Sequence, residues 1–291
     1  MSEMKRRAFA RRLARDELIA APGVFDGISA RIADGMGFEA LYMTGYGVVA
    51  SHLGLPDAGI ATYTDMVGRV ERIARLAATP LIADGDTGYG GLLNVQHTVR
   101  GYERAGAVAI QLEDQEFPKK CGHMLGRRVV PVEEMVAKIR VACDAREDAD
   151  FKIIARTDAR TTLGLDEALR RGEAYARAGA DILFIESPES VAEMEAIGRA
   201  FDVPLVANMV EGGRTPLISA DELQRVGYRL AIFPALGFLA AGAAMHTAYT
   251  ALRARGSSAG MDVALYPFQD FSRLMGFDAV TEFDDKYKEK K

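Results

Sequence analysis

Cysteine is scarce in this chain, which carries only Cys121 and Cys143. Two thiols are too few for a disulfide framework, and such usage fits a reducing compartment. Both are read as free thiols. No Cys or His pair stands at finger spacing, which excludes a structural zinc module. Positive charge is not in excess either: 36 Lys and Arg stand against 41 Asp and Glu, a net charge of −5. No broad cationic face would therefore steer nucleic acid or an anionic membrane toward the protein. Long apolar runs are missing as well. The longest stretch near the end without a charge or a histidine, Leu230 to Met245, contains Pro234, Gly237 and Gly242. It falls short of the roughly 20 residues a membrane span needs. The charged start, Met-Ser-Glu-Met-Lys-Arg-Arg, is followed by Arg11, Arg12, Arg15 and Asp16 in place of a signal-peptide core. A cytoplasmic location is the expectation.

What is present is a repeated plan. An apolar share of 49% in 291 residues suffices for a full core, and α/β barrels commonly reach about 250 residues as one unit. Eight short apolar segments read as strands: Leu18–Ala21, Ala40–Met43, Pro80–Ala83, Val108–Leu112, Lys152–Ala155, Ile182–Ile185, Pro204–Ala207 and Leu230–Phe233. Amphipathic stretches separate them, among them Asn94–Ala105, Val132–Ala145, Leu165–Ala178 and Ser219–Val226, with apolar positions three or four apart. Glycines at 37, 106, 179 and 227 mark helix ends just before the next strand. Strict strand–helix alternation implies right-handed crossovers and a parallel sheet, and eight such units close a (β/α)₈ TIM barrel. A dinucleotide-binding open sheet is disfavoured, because no G-x-G-x-x-G follows the first strand. The expected organisation is one barrel domain spanning 1–291 with a helical extension over about 256–291. Helical patterns at Ala240–Arg255 and Phe268–Met275 flank a Gly/Ser-rich break at Gly256–Gly260, and about the last ten residues read as a charged, frayed end. Helices beyond a finished barrel need a surface on which to bury their apolar faces, so an oligomer is expected.

In such a barrel the reactive groups project from the C-terminal strand ends. Asp84 and Asp86 follow the third strand and Glu113 ends the fourth, so the three converge. Packed carboxylates repel unless protonated or bridged by a cation. An oxygen-only donor set points to Mg²⁺, with Mn²⁺ as the other candidate. Asp114 and Asp158, taken singly, read as helix caps. The segment Lys119-Lys120-Cys121-Gly122-His123 follows the fourth strand. A thiol beside two lysines and a histidine suits proton transfer. Cys143 reads as buried on its helix. Arg156, at the end of an apolar strand, needs an anion: either a substrate carboxylate or a rim acid. His52 and His97 read as ordinary loop or helix residues, and His246 as packing.

Asp-Gly-Asp-Thr-Gly-Tyr-Gly at 84–90, Leu-Glu-Asp-Gln at 112–115 and Lys-Lys-Cys-Gly-His at 119–123 together resemble the isocitrate lyase and phosphoenolpyruvate mutase superfamily. The resemblance runs from about Ala21 to Pro234 and is greatest to its 2-methylisocitrate lyase, dimethylmalate lyase and petal death protein branch, where Cys-Gly-His marks lyases. It implies that Asp84 is the direct Mg²⁺ ligand, with Asp57, Asp86 and Glu113 holding its waters. It implies that Tyr42, Thr44, Gly45 and Tyr46 cradle a 2-keto acid, that Arg156 holds a carboxylate, and that Gly122, Glu186 and Asn208 lie nearby. It also implies a homotetramer that exchanges C-terminal helices. The segment Asn208-Met209-Val210-Glu211-Gly212-Gly213-Arg214-Thr215-Pro216 has a glycine pair where the tricarboxylate lyases carry bulkier residues, which disfavours methylisocitrate.

The activity so implied is retro-aldol cleavage of a substituted (R)-malate-type 2-hydroxy acid to a 2-keto acid and a carboxylic acid. Cys121 would give a proton to the departing carbon, Lys119, His123 and Arg156 would stabilise charge there, and Tyr42 is the guess for the group that takes the hydroxyl proton. Two enzymatic alternatives stay open, carbon–phosphorus chemistry of the carboxyphosphonoenolpyruvate mutase type and oxaloacetate hydrolysis. The non-enzymatic alternative is a silent metabolite-binding barrel, against which the joint presence of Asp84 and Cys121 argues.

Overall fold

All eight apolar segments are parallel strands in a computed structural model of the chain, which describes residues 2–122, 124 and 126–288. They are β1 (Ile19–Val24), β2 (Leu41–Met43), β3 (Leu81–Asp84), β4 (Ala109–Glu113), β5 (Lys152–Thr157), β6 (Ile182–Ile185), β7 (Val206–Asn208) and β8 (Leu230–Phe233). Their order is β6-β5-β4-β3-β2-β1-β8-β7. A bridge between Leu183 and Leu205 spans the remaining seam, where the Leu183 amide donates to the Pro204 carbonyl at 3.0 Å. The fold is a (β/α)₈ barrel. Strands β2, β3, β4, β6 and β7 are buried at every residue, as expected where helices cover the outside and side chains fill the inside.

The helices follow the strands in turn. An opening helix α1 (Ser2–Leu13) precedes β1; then come α2 (Gly27–Asp34), α3 (Gly45–Leu53), α4 (Tyr63–Leu76), α5 (Leu92–Ala105), α6 (Val132–Ala145), α7 (Arg160–Leu163), α8 (Leu165–Arg177), α9 (Val191–Ala200) and α10 (Ala220–Arg225). Helix α4 buries Met66, Val70, Ile73 and Ala74, the face that three-and-four spacing creates, and Thr62 with Asp65 closes its first turn as a capping box. Gly37, Gly106, Gly179 and Gly227 all adopt positive φ, as the glycine-marked turns require. Helix α1 carries no sequence signal, because only Phe9 and Leu13 of its twelve residues are buried. Those two join the barrel-lining residues Ile19, Tyr42, Ile82, Ile154 and Phe184 in one apolar cluster. A charged helix is thus held by two apolar anchors one turn apart, each contributing about 1.5–3 kcal/mol.

The chain divides into two compact units, Met1–Gly237 and Phe238–Lys291. The second contains most of α11 (Leu236–Arg255), α12 (Phe268–Leu274) and α13 (Phe277–Tyr287). Within it Arg255 reaches across the glycine/serine break to the Gly260 carbonyl at 2.7 Å. The expected frayed end is instead helical through Tyr287. The reason is local: the Phe283 and Tyr287 rings, one turn apart, stack with centroids 4.7 Å apart, while Asp278 and Lys286 suit the two ends of the helix dipole. His246, expected to pack, is exposed, and α11 has no buried residue at all.

Candidate active site

Strand β3 delivers Asp84 as its last residue, and the chain turns sharply after it: Asp86 sits at φ 48°, a left-handed conformation that Asp tolerates better than most residues. The turn lets the Asp86 amide donate to Asp84 Oδ1 at 3.0 Å. Gln111 of β4 donates to the same oxygen at 3.2 Å and accepts the Tyr42 hydroxyl at 2.8 Å. From the other side comes the start of α3. Thr44 caps that helix by accepting the Gly47 amide at 3.3 Å, and a Cβ on Gly45 would lie 2.5 Å from Asp84 Oδ2. Only glycine permits that approach. Tyr46 follows it on the first turn, partly exposed. A helix N-terminus beside a rim carboxylate is a seat for an anion once the carboxylate's own charge is matched.

Lys119 enters this acid cluster from above. Its ammonium pairs with Asp57, from the turn after α3, and with Asp86 at 2.6 Å. Burial alone would lower its pKa, but the surrounding carboxylates, Asp86 foremost, raise it well above the usual lysine value. Burial drives the acids the other way. Asp84 is pushed up to about 6, first by desolvation and then by the charge of Asp86. Glu113 is raised well above the ordinary range by burial, against the pull of Arg156, and Asp57 is raised by burial against the pull of Lys119.

Arg156 ends the inner run of β5 and is held by Asp158 in a two-point pair, Nε to Oδ2 at 3.0 Å and Nη2 to Oδ1 at 2.9 Å. Glu113 and Glu186 each approach it to 3.4 Å, and its guanidinium lies 5.1 Å from the Phe184 ring centroid. Rim acids, one of the two partners foreseen for Arg156, are in place around it. Asn208 donates to Glu186 Oε2 at 3.0 Å. The segment carrying Cys121 lies directly on this group. A Cβ on Gly122 would come within 2.2 Å of Arg156 Nη2 and 2.8 Å of Glu186 Oε2. The Ser187 hydroxyl stands 3.1 Å from both the Gly122 carbonyl and Glu186 Oε1. The Cys121 amide donates to the Asp57 carbonyl at 3.2 Å, which ties the half-buried thiol residue to the acid cluster as well. His123 lies outside the described residues.

Some expectations change. Asp114 and Asp158 are not helix caps: the N-cap positions of α6 and α7 are Pro131 and Ala159, with no side-chain cap. Asp114 accepts from Thr157, Tyr175, Arg171 and the Asp158 amide at 2.7–3.0 Å. Buried guanidinium groups draw both acids inward, since an unpaired buried charge is costly. Cys143 is half-buried and not fully enclosed, and donates to the Gly179 carbonyl at 3.2 Å. His52 contacts Arg69, and His97 packs on Tyr63 with ring centroids 4.5 Å apart.

The residues fit a divalent cation. Six carboxylates, those of Asp57, Asp84, Asp86, Glu113, Asp158 and Glu186, share the rim with three cationic groups, Lys119, Arg127 and Arg156. Glu113 Oε1 is buried with no hydrogen-bond partner among the described residues. Among those residues no three His, Cys, Asp or Glu side chains are placed to ligate one ion directly. An ion at this rim would be held by few direct protein oxygens and otherwise by water.

Comparison with known proteins agrees with this geometry. The phosphoenolpyruvate phosphomutase family profile matches residues 9–253. The chain belongs to the isocitrate lyase/phosphoenolpyruvate mutase superfamily. It is 50% identical over 275 residues to 2,3-dimethylmalate lyase of Eubacterium barkeri, covering 94% of this chain and 95% of that one. It superposes with a TM-score of 0.92 and 39% identity on oxaloacetate acetylhydrolase in complex with the inhibitor 3,3-difluorooxalacetate, covering 98% of this chain and 97% of the other. Phosphonopyruvate hydrolase in complex with oxalate and Mg²⁺ superposes with a TM-score of 0.88 and 31% identity, covering 98% and 99%. Gln111, Arg127 and Ser187 touch the rim acids although the sequence did not single them out, and Asp158, read there as a helix cap, pairs with Arg156 instead. Gln111 had a usable signal as a lone amide inside the apolar run of β4, and Asp158 as an acid directly after the end of β5. Arg127 had none, because its partners Asp158 and Thr161 lie 31 and 34 residues away; Ser187 directly follows Glu186, which its hydroxyl meets.

Proposed function

We propose that this superfamily member is a Mg²⁺-dependent carbon–carbon lyase that cleaves a substituted (R)-malate-type acid, of which 2,3-dimethylmalate is the pattern, to a 2-keto acid and a carboxylic acid. The observation that carries the reading is the Cys121 segment lying on Arg156 and Glu186, which sets a proton donor beside an anion-binding arginine and the Asp84 cluster. The similarity to a dimethylmalate lyase supports the same substrate class.

Asp84 is the residue to hold Mg²⁺ directly, with Asp57, Asp86 and Glu113 holding its waters; Mn²⁺ suits the same oxygens. When bound there, the ion supplies Lewis-acid polarisation that eases loss of the 2-hydroxyl proton. The chain's own residues do the rest. Thr44, Gly45 and Tyr46 seat the 2-oxygen and its carboxylate at the start of α3, while Arg156 and Asn208 hold the other carboxylate. The hydroxyl proton goes to a carboxylate, not to Tyr42. Burial and then the Asp84 charge push the Tyr42 phenol well above its usual pKa, so it stays protonated and acts as a donor. Glu113, whose Oε1 is buried without a hydrogen-bond partner among the described residues, is the acceptor in its ionised form. As C2–O becomes a carbonyl, the C2–C3 bond breaks with its electron pair on C3. Cys121 gives that carbon its proton, and Arg156 with the Lys119 and His123 segment stabilises the charge that builds up.

A screen with 2,3-dimethylmalate, methylisocitrate, oxaloacetate and phosphonopyruvate, each with Mg²⁺, checks this. Pyruvate and propionate released from dimethylmalate, faster than products from any other acid, is the expected result. Acetate and oxalate from oxaloacetate as the main products would replace it with the hydrolytic reading that the acetylhydrolase likeness favours. Turnover of phosphonopyruvate alone would replace it with carbon–phosphorus chemistry. Binding of oxalate without any turnover would leave a silent barrel.

The assembly we propose is a cytoplasmic homotetramer of single barrel domains that exchange the helices of about 256–291. Phe268, Phe277 and Phe283 are 83%, 62% and 61% exposed, apolar surface that calls for a partner. No helix of the described residues is long and apolar enough to cross a membrane. Light scattering should return four times the 31.5 kDa chain mass; a monomer at micromolar concentration would refute the assembly.

A further inference from the structure

We propose that Arg127 is a positioning residue that keeps Arg156 available for a substrate carboxylate, acting through the one carboxylate they share, that of Asp158. The inference rests on the reading of Arg156 as the substrate's anion partner. Arg127 lies six positions beyond Cys121, yet its side chain is 0% exposed, while that of its neighbour Arg128 is 77% exposed. Burying a guanidinium is costly, and tethering a surface segment does not require it. Its Nη1 pairs with Asp158 Oδ1, and its Nη2 donates to Thr161 Oγ1 at 2.6 Å.

Asp158 Oδ1 is the same oxygen that takes Arg156 Nη2. Two guanidinium groups thus share one carboxylate, and the trio keeps one positive charge. Without Arg127, Arg156 and Asp158 would form a closed neutral pair. With Glu113 and Glu186 at 3.4 Å the five groups would then go from a net charge of −1 to −2, and an incoming carboxylate would meet stronger repulsion at Arg156. With Arg127 in place, Asp158 orients Arg156 through two bonds without neutralising it. The main chain at Asp158 is fixed, because its amide donates to Asp114 at 2.9 Å and Asp114 is held in turn by Tyr175 and Arg171.

The arrangement has a matching cost. Arg127 Nε is buried without a partner among the described residues, which an arginine retained only for stability would not be expected to tolerate. Replacement by an uncharged side chain of similar length, Arg127→Met, isolates the charge. Arg127→Lys restores charge without the two-point geometry, and Thr161→Val removes only the second hydrogen bond.

Each variant is compared by kcat/KM on the acid that the wild type cleaves best, and by calorimetric affinity for oxalate with Mg²⁺, which needs no turnover. Arg127→Met is expected to lose about 10²-fold in kcat/KM, with KM raised as well as kcat lowered, and to bind oxalate about tenfold more weakly. Arg127→Lys should recover most of the oxalate affinity, and Thr161→Val should stay within about threefold of wild type in both. In the Arg156→Lys background, Arg127→Met should add little, because it acts through the residue already changed. Full additivity of the two substitutions, or an Arg127→Met protein that melts lower but binds oxalate as wild type does, would overturn the proposal. So would a lysine variant no better than methionine. If the wild type cleaves no 2-hydroxy acid, the lyase reading fails, and the oxalate cycle still decides the role of Arg127.

Discussion

Replacing Cys121 by alanine is expected to lower lyase turnover by about 10³-fold, within the range that removal of a general acid produces. The thiol is the only side chain of its segment proposed to give up a proton to carbon, and alanine has none to give. The backbone anchors of that segment do not involve the side chain: the Cys121 amide bonds the Asp57 carbonyl, and the Gly122 carbonyl meets Ser187. KM and oxalate affinity should therefore change less than threefold or so, which places the loss in the transition state. Cys121→Ser should be nearly as poor, since an aliphatic hydroxyl is a far weaker acid than a thiol near pH 8.5. Steady-state release of 2-keto acid measures both. A serine variant with full turnover would remove Cys121 from the mechanism and point to a solvent proton.

Asp84→Asn should abolish the Mg²⁺ response and lower turnover by about 10⁴-fold, the equivalent of the several kcal/mol a metal ion contributes to a developing charge. It should also stabilise the metal-free protein, and the sign follows from linkage. Folding raises the Asp84 pKa from 3.8 to about 6. The folded state therefore binds the proton more tightly than the unfolded chain does, and stability falls as pH rises between those values. The penalty is absent below about pH 4 and complete above about pH 6, on the order of 3 kcal/mol. Urea unfolding with a chelator should show wild type losing stability across that window and Asp84→Asn losing less. Added Mg²⁺ should restore the wild type above pH 6 and leave the variant unchanged. Equal pH profiles for the two proteins would mean that Asp84 carries no such burden and is not the principal ligand.

Both results turn on residues that could be read before any coordinates. Asp84, Asp86, Glu113 and Cys121 were legible because strand–helix alternation in a parallel barrel puts every strand end at one rim, so polar residues that end apolar runs converge whatever their spacing. The same rule singled out Arg156, while Glu186 and Asn208 came from the family resemblance. It could not say which charge meets which. Asp114 and Asp158 read as helix caps, yet Asp158 lies in a shared pair between Arg127 and Arg156, because side-chain partners come from segments some 30 residues apart. Tyr42 was named for the hydroxyl proton without any partner in view, and only the fold shows its hydroxyl donating to Gln111. Helix α1 was invisible, since two apolar anchors in a charged helix give no period to count.

The sequence alone therefore determined the architecture and the chemical inventory of the rim, because both depend on local patterns: apolar runs of strand length, glycine at helix ends, and acids where strands stop. Only the tertiary structure decided protonation and pairing, because these depend on burial and on a few ångströms between residues far apart in the chain. Gly45 illustrates the division. Its place in the order of the chain was readable, but the 2.5 Å that leaves no room for a Cβ beside Asp84 exists only once β2 and β3 lie side by side.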